Sequence, residues 1–354
     1  MPWLRPIGHD LLIQPTDLST PRNSRWPIRA ILTTVSAVAI CCAGALLFFL
    51  HQNIRTPVTH PAAFLIVKPG TGLTAFSNQL VKEGLARSSW PVTAWALLSG
   101  TARSLKSGEY RVMANASPAR ILGQVGRGEV HQRKVTIIEG WNLWDLQTRL
   151  NQENVLLSTI ADVTDSKASI RLSLSHGSPE GLFFPDTYFY VRGETDIDLL
   201  GKAARKMSHE LDAIWEERGP SLAIQDSYQA LILASIIQKE AMRVNEMPRI
   251  SGVFHNRLNR GMRLQADPTV IYGLGPEFEG RLKRRHLRAD TPYNTYTRSG
   301  LPIGPIAMPG RAALMAAVNP LKSKELYFMA RGDGTHQFSE TLKDHNIAVQ
   351  RYRN

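Results

Sequence analysis

Apolar and polar positions fall into three distinct patterns along the chain. From Ile28 to Leu50 the run is apolar apart from Arg29 and small hydroxyl residues, and Ala30 to Leu50 carries no charge. That length matches a bilayer core of about 30 Å and predicts one membrane helix over residues 28–50. Phe64 to Leu80 and Lys134 to Leu150 show a second pattern, each reading as a strand, a glycine turn and a helix. Gly70, Leu73 and Leu80 correspond to Gly140, Leu143 and Leu150. Two copies indicate related strand-turn-helix units, whereas a solenoid needs three or more. The first copy continues with a helix-like Trp90 to Leu98 and a strand-like Glu109 to Met113, giving the order βααβ. The third pattern starts at Leu233: Ile236, Ile237, Glu240 and Val244 follow at the offsets of one buried helical face. Glu240 thus sits inside an apolar stripe, while Gln238 and Lys239 point elsewhere.

These patterns divide the chain into a cytoplasmic segment 1–27, a membrane helix 28–50, a linker 51–62, a small βααβ module 63–130 and an α+β domain 131–354. The linker carries Pro57, His60 and Pro61 and no apolar periodicity. Arg22, Arg25 and Arg29 precede the span and only His51 and Arg55 follow it closely, a bias that places the N-terminus in the cytoplasm. A cleaved signal peptide is the rival, but the run is too long for an ordinary signal core and begins late. Both cysteines, Cys41 and Cys42, fall inside the span, so the exported part forms no disulfide.

The chain of 354 residues is 43% hydrophobic, enough for about two domains with real cores. Its net charge is +12, yet no zinc-finger spacing or RNP-type aromatic motif accompanies it, which argues against nucleic acid. An anionic envelope polymer or anionic lipid headgroups fit the charge better, beside a solvated surface with no partner. Glu240 is the candidate of chemical interest. A carboxylate against apolar surface loses hydration, its charged form is disfavoured, and its pKa rises toward that of a general acid near neutral pH. A buried structural Glu paired with an Arg is the alternative that the helix alone leaves open.

The residues around Glu240 form a long motif: Ala234-Ser235-Ile236-Ile237, Lys239-Glu240, Val253-Phe254, Asn256-Arg257-Leu258, Gly261-Met262, Leu264-Gln265 and Asp267 through Gly273. Glu180-Gly181 and Phe184 through Tyr188 lie upstream, with Pro292 through Tyr296, Gly300-Leu301-Pro302, Gly304-Pro305-Ile306, Pro309-Gly310, Gly332 through His336, Phe338-Ser339 and His345-Asn346 downstream. This set resembles the endolytic murein transglycosylases, the YceG-like family. The resemblance implies a lytic transglycosylase with Glu240 as its acid/base, cleaving peptidoglycan between N-acetylmuramic acid and N-acetylglucosamine to leave 1,6-anhydro ends. It further implies a LysM-like glycan binder at 63–130, for which a plain spacer is the alternative. Termination of nascent strands, association with peptidoglycan synthases of the penicillin-binding class, and an inner-membrane location with the catalytic domain outside follow from the same resemblance. Two departures stand out: Gln238 where the family usually has an acidic residue, and Met308 where it has Asn. The first leaves Glu240 as the one carboxylate of its segment, and the second removes a polar contact.

Other chemistries lack their residues. No Ser-x-x-Lys or Gly-x-Ser-x-Gly occurs, and the only cysteines are in the span. His336 and His345 are isolated and lack the zincin pattern, so neither metal nor organic cofactor is expected. A single essential Glu fits a lytic transglycosylase better than a hydrolase, which normally flanks the bond with two carboxylates. A water-using muramidase stays open, with Asp186, Glu180, Glu246 or Asp267 as second carboxylate, as does a non-catalytic glycan-binding scaffold. Gln265, Thr269, Tyr272, Tyr293 and Asn294 are the candidates for a sugar cleft, because sugars need amide and hydroxyl partners and aromatic faces. Asp267 before Pro268 also reads as a helix N-cap, and Gly261 as the stop of a helix from Ile250 to Arg260.

Overall fold

The computed structural model describes residues 26–174 and 176–352, which form two compact units. The first holds the N-terminal helix with residues 70–106 and 112–128; the second holds residues 64–69, 107–111 and the chain from 129 onward.

In the first unit, helix α1 runs from Trp26–Arg55 and is long and apolar enough to cross a membrane. It continues past the predicted end at Leu50 because Leu50 and Ile54 are buried against protein. The first five of the twelve residues of the expected linker, 51–55, are therefore helix. The rest is tied down as well, since the backbone N–H groups of Asn115 and Ala116 donate to His60 at its carbonyl and at Nε2 (3.1 and 3.2 Å). Arg22, Arg25 and the cytoplasmic segment up to residue 25 lie outside the described residues. Along the chain, strand β1 (Ala63–Val67) is followed by helices α2 (Leu73–Lys82) and α3 (Ser89–Leu98), strand β2 (Gly108–Val112) and helix α4 (Pro118–Arg127), so the order βααβ is present; the three helices belong to the first unit, and the paired strands β1 and β2 fall almost entirely in the second.

The second repeat copy lies wholly in the second unit, as β3 (Arg133–Thr136) and α5 (Leu143–Asn151). Both copies turn at a glycine in the left-handed region, Gly70 (φ +78°) and Gly140 (φ +82°), and begin their helices at Leu73 and Leu143. After α6 (Ser166–Arg171), β4 (Thr187–Tyr190) returns antiparallel to β3 with Val135 opposite Tyr188. Val135, Ile137, Leu146, Phe183 and Leu199 fill the core beneath this ribbon. Met308 is buried in that same core while its backbone pairs with Trp141 and Gly140. An apolar side chain suits the position, which explains how the chain tolerates a residue other than Asn there.

The remaining elements are α7 (Asp196–Glu216), α8 (Ser227–Glu240), α9 (Met247–Asn259), α10 (Asp267–Leu274), α11 (Arg284–Arg288), α12 (Arg311–Val318), the antiparallel pair β5 (Tyr327–Ala330) and β6 (His336–Ser339), and α13 (Leu342–Tyr352). Helix α8 is the centre of this part. Every residue from Ala230 to Ile237 is buried, with α7, α9, α10 and α12 packed around it. A helix apolar all round needs no single stripe. The predicted stripe through Val244 is accordingly wrong at its end: α8 stops at Glu240, Ala241 is extended, and Val244 is exposed in a short 3₁₀ turn. Gly261 (φ +66°) ends α9, its N–H donating to the Leu258 carbonyl (3.0 Å).

Candidate active site

Glu240 is the last residue of α8. The helix dipole presents its negative end there, an unfavourable place for a carboxylate charge. Burial pushes the Glu240 carboxyl from the ordinary 4.5 up to about 8; the neighbouring Asp267 charge raises it further and Arg257 opposes. The side chain keeps a partial opening to solvent, yet protein crowds it closely. Among the described residues, no hydrogen bond reaches its carboxyl group. It therefore has a proton at neutral pH and nothing in the fold to which that proton is committed.

The flanking segments set its electrostatics. Helix α10 begins at Asp267, but Ala266, not Asp267, is the N-cap. The Asp267 carboxylate instead accepts from the Tyr296 hydroxyl (2.5 Å); burial pushes the Tyr296 pKa up and this pairing adds to it. Arg257 is buried on α9 and donates to the carbonyls of Leu326 (2.6 Å) and Leu264 (2.7 Å), so it supplies positive potential near Glu240 without an ion pair to it. Immediately before α10, Gln265 has φ +49°, a left-handed conformation that costs a non-glycine residue on the order of 1–3 kcal/mol and that concentrates at functional sites. Its N–H is held by the Thr295 carbonyl (3.1 Å).

The predicted sugar-cleft residues separate into two groups. Thr269 and Asn294 are fully buried and spend their polar atoms internally. Thr269 Oγ1 donates to Ala266 O (2.7 Å) and pairs with Thr295 Oγ1 (2.9 Å). Asn294 Nδ2 donates to Leu287 O and Ala289 O, and its Oδ1 accepts from the Tyr296 N–H (2.8 Å). Both fix the loop that carries Tyr293 and Tyr296. Gln265 is exposed, and Tyr272 and Tyr293 are half-buried with rings edge-to-face at 4.7 Å.

Tyr272 also lies 5.0 Å from the Trp144 ring and lines a cleft of about 400 Å³. Trp144, Tyr272, Phe278 and Pro268 give it apolar walls; Asn142, Asp145 and Lys239 give it polar ones. Lys239, one of its lining residues, directly precedes Glu240 in the chain, and Pro268 directly follows Asp267. Aromatic faces with a few polar groups suit a sugar ring. Trp144 and Phe278 escaped the sequence reading because they stand in no motif around Glu240. Trp144 does stand one residue past Leu143 in the second repeat copy, the one signal that pointed to it.

Of the four candidate second carboxylates, three are engaged elsewhere. Asp186 pairs with Lys206 and accepts from the Thr187 N–H, which lowers its pKa. Glu246 accepts from His336 through the ring and the backbone (2.8 and 3.1 Å). Glu180, 1% exposed, accepts from the Leu143 N–H (3.0 Å), the Tyr272 hydroxyl (2.9 Å) and the Gly181 N–H (3.2 Å). Burial still outweighs those bonds and raises the Glu180 carboxyl to about 7. Gly181 shapes this turn at φ +76°, and a Cβ there would lie 2.6 Å from Pro305. Asp267 alone faces Glu240 electrostatically. Among the described residues, no cluster of three His, Cys, Asp or Glu side chains suits a metal ion.

Residues 65–351 match the model of the YceG-like family. The chain belongs to that family. Among curated relatives, the endolytic murein transglycosylase of Bacillus subtilis strain 168 is 26% identical over 325 residues, covering 86% of this chain and 89% of that protein. The protein of the same name from Streptococcus pneumoniae serotype 2 is 25% identical over 329 residues, 81% of this chain but 58% of the longer pneumococcal protein. A crystal structure of a protein described as YceG-like from Listeria monocytogenes matches with a TM-score of 0.50 and 26% identity, over 81% of this chain and 98% of that one. The family match spans the β1–β2 region, the Glu240 segment and nearly all of α13.

Proposed function

We propose that this protein is a membrane-anchored endolytic lytic transglycosylase acting on murein, with Glu240 as its single acid/base. The observation that carries the reading is Glu240 itself: its carboxyl is pushed up to about 8 by burial, no hydrogen bond reaches it among the described residues, and it follows Lys239 of the aromatic-walled cleft in the chain. The names of the relatives support the substrate class. The Glu240 proton passes to the glycosidic oxygen as the bond from muramic C1 to that oxygen breaks, which frees the hydroxyl of N-acetylglucosamine. The carboxylate left behind then takes the proton of the muramic C6 hydroxyl as that oxygen closes on C1. The anhydro ring forms without water, and Glu240 returns protonated. Gln265, Tyr272 and Tyr293, with Trp144, are the residues we assign to the sugar.

The same reading places α1 in the inner membrane with its N-terminus in the cytoplasm, assigns residues 63–130 to a LysM-like glycan contact, and gives the enzyme a role in ending nascent strands beside peptidoglycan synthases. Mass spectrometry of the products from isolated glycan strands tests the chemistry. The expected products carry 1,6-anhydro-muramyl ends. Reducing ends would make the protein a water-using muramidase and turn attention to Asp267; no release at all would favour a glycan-binding scaffold.

A further inference from the structure

Helix α3 is apolar on both sides. Pro91, Val92 and Ala96 are buried, but Trp90, Leu97 and Leu98 are 47%, 64% and 65% exposed. These three stand at i, i+7 and i+8, one stripe of the helix, facing away from the unit's core. The stripe has a defined place relative to α1. The Trp90 ring stacks on Phe49 (centroids 5.8 Å apart, planes 7° apart), Trp95 meets His51 edge-on at 6.1 Å, and the Arg55 guanidinium lies 5.9 Å from the Trp95 ring. Helix α3 is thus pinned to the last turns of α1, where its uncharged run ends. From Phe49 to Arg55 a helix rises about 9 Å, enough to cross one headgroup layer of roughly 5–8 Å. Tryptophan and arginine are the residues that settle in that layer. Arg87 and Arg103, both exposed, flank α3 in the chain and are suited to lipid phosphates.

We propose that the Trp90, Leu97 and Leu98 stripe of α3 is a second membrane contact, seated in the outer headgroup layer beside α1. The contact rests on the reading of α1 as a membrane span. Its effect is to hold helices α2, α3 and α4 at the bilayer surface beside α1. The exposed apolar face of α1 and the stripe of α3 are continuous through the Phe49–Trp90 stack, which favours lipid over any separate protein or glycan as the occupant.

Site-directed spin labelling of the full chain tests it. In a Cys41→Ser, Cys42→Ser background, single cysteines are placed at Ala37, Glu83 and Leu98, labelled, and reconstituted in vesicles of phosphatidylethanolamine and phosphatidylglycerol. Dissolved oxygen reports the apolar phase and an aqueous nickel chelate reports water. The labels at Ala37 and Leu98 should both lose nickel accessibility and gain oxygen accessibility relative to Glu83. If Ala37 is shielded from nickel while Leu98 matches Glu83, the span stands and the second contact is overturned. If Ala37 is itself open to nickel, the span reading fails and the proposal with it. A Leu98 label closed to both reagents means protein covers the stripe, which also overturns it. As a second readout, Leu97→Asp with Leu98→Asp should leave retention on insoluble peptidoglycan unchanged; loss of that retention would reassign the stripe to glycan.

Discussion

Glu180 and Glu240 are both carboxylates held out of water, but their surroundings are opposite. Glu180 sits in a turn where an amide of the α5 N-terminus, the Tyr272 hydroxyl and its own neighbour's amide all donate to it. Glu240 sits at the negative end of α8 and receives no such donor among the described residues. Burial raises both, to about 7 and about 8 respectively. The difference is therefore in what each proton can do. Releasing the Glu180 proton strengthens bonds already in place, whereas the Glu240 proton has no internal use. A raised pKa alone would not distinguish them; the hydrogen-bond inventory does.

The sharpest way to break this contrast is Glu240→Gln. It keeps size but removes the transferable proton, so turnover should fall on the order of a hundredfold or more while the thermal midpoint stays near wild type. Wild-type release of anhydro products by this variant would sink the assignment. Glu180→Ala should do the reverse. It strands the donors of Leu143 and Tyr272, and urea titration should register a loss on the order of 3 kcal/mol. A stable Glu180→Ala protein with turnover as low as that of Glu240→Gln would reverse the two roles.

The same pair predicts a pH dependence of stability. Between its unfolded value of 4.5 and its folded value of about 7, Glu180 holds a proton in the folded chain that the unfolded chain has released. Rising pH therefore destabilises the fold, by up to about 3 kcal/mol from this group, and Glu180→Gln should flatten the decline. Denaturant midpoints from pH 5 to 8 provide the check; a rising trend in that window would contradict the burial argument.

Asp267→Asn has a smaller effect and separates two chemistries. Removing its charge lowers the Glu240 pKa, so the alkaline limb of the rate profile, expected near pH 8, should move down by less than about one unit. A collapse in turnover as deep as that of Glu240→Gln would instead mark Asp267 as a second catalytic carboxylate. The mildest change is Tyr272→Phe. It withdraws one donor from Glu180 and should cost about 1 kcal/mol in stability, leaving the aromatic wall of the cleft in place.

Much of this was legible from residue order. The uncharged run to Leu50, the paired Gly70 and Gly140 turns and the apolar setting of Glu240 follow from periodicity and backbone sterics, which act over a few residues and leave a local trace. The YceG-like motif drew attention to Glu240. Other features depended on residues distant in the chain. Helix α8 ends at Glu240, where Ala241 turns to extended backbone, which a wheel drawn through Val244 cannot register. Asp267 pairs with a tyrosine 29 positions away and leaves the cap of α10 to Ala266, and Thr269 and Asn294 turn inward to hold that tyrosine's loop. Trp144 reached Tyr272 from the far side of the domain sequence. Local pattern determined which residues had to leave water; only the tertiary structure decided which buried polar groups found partners, because a hydrogen bond depends on what folding brings within 3 Å of an atom and not on what precedes it in the chain.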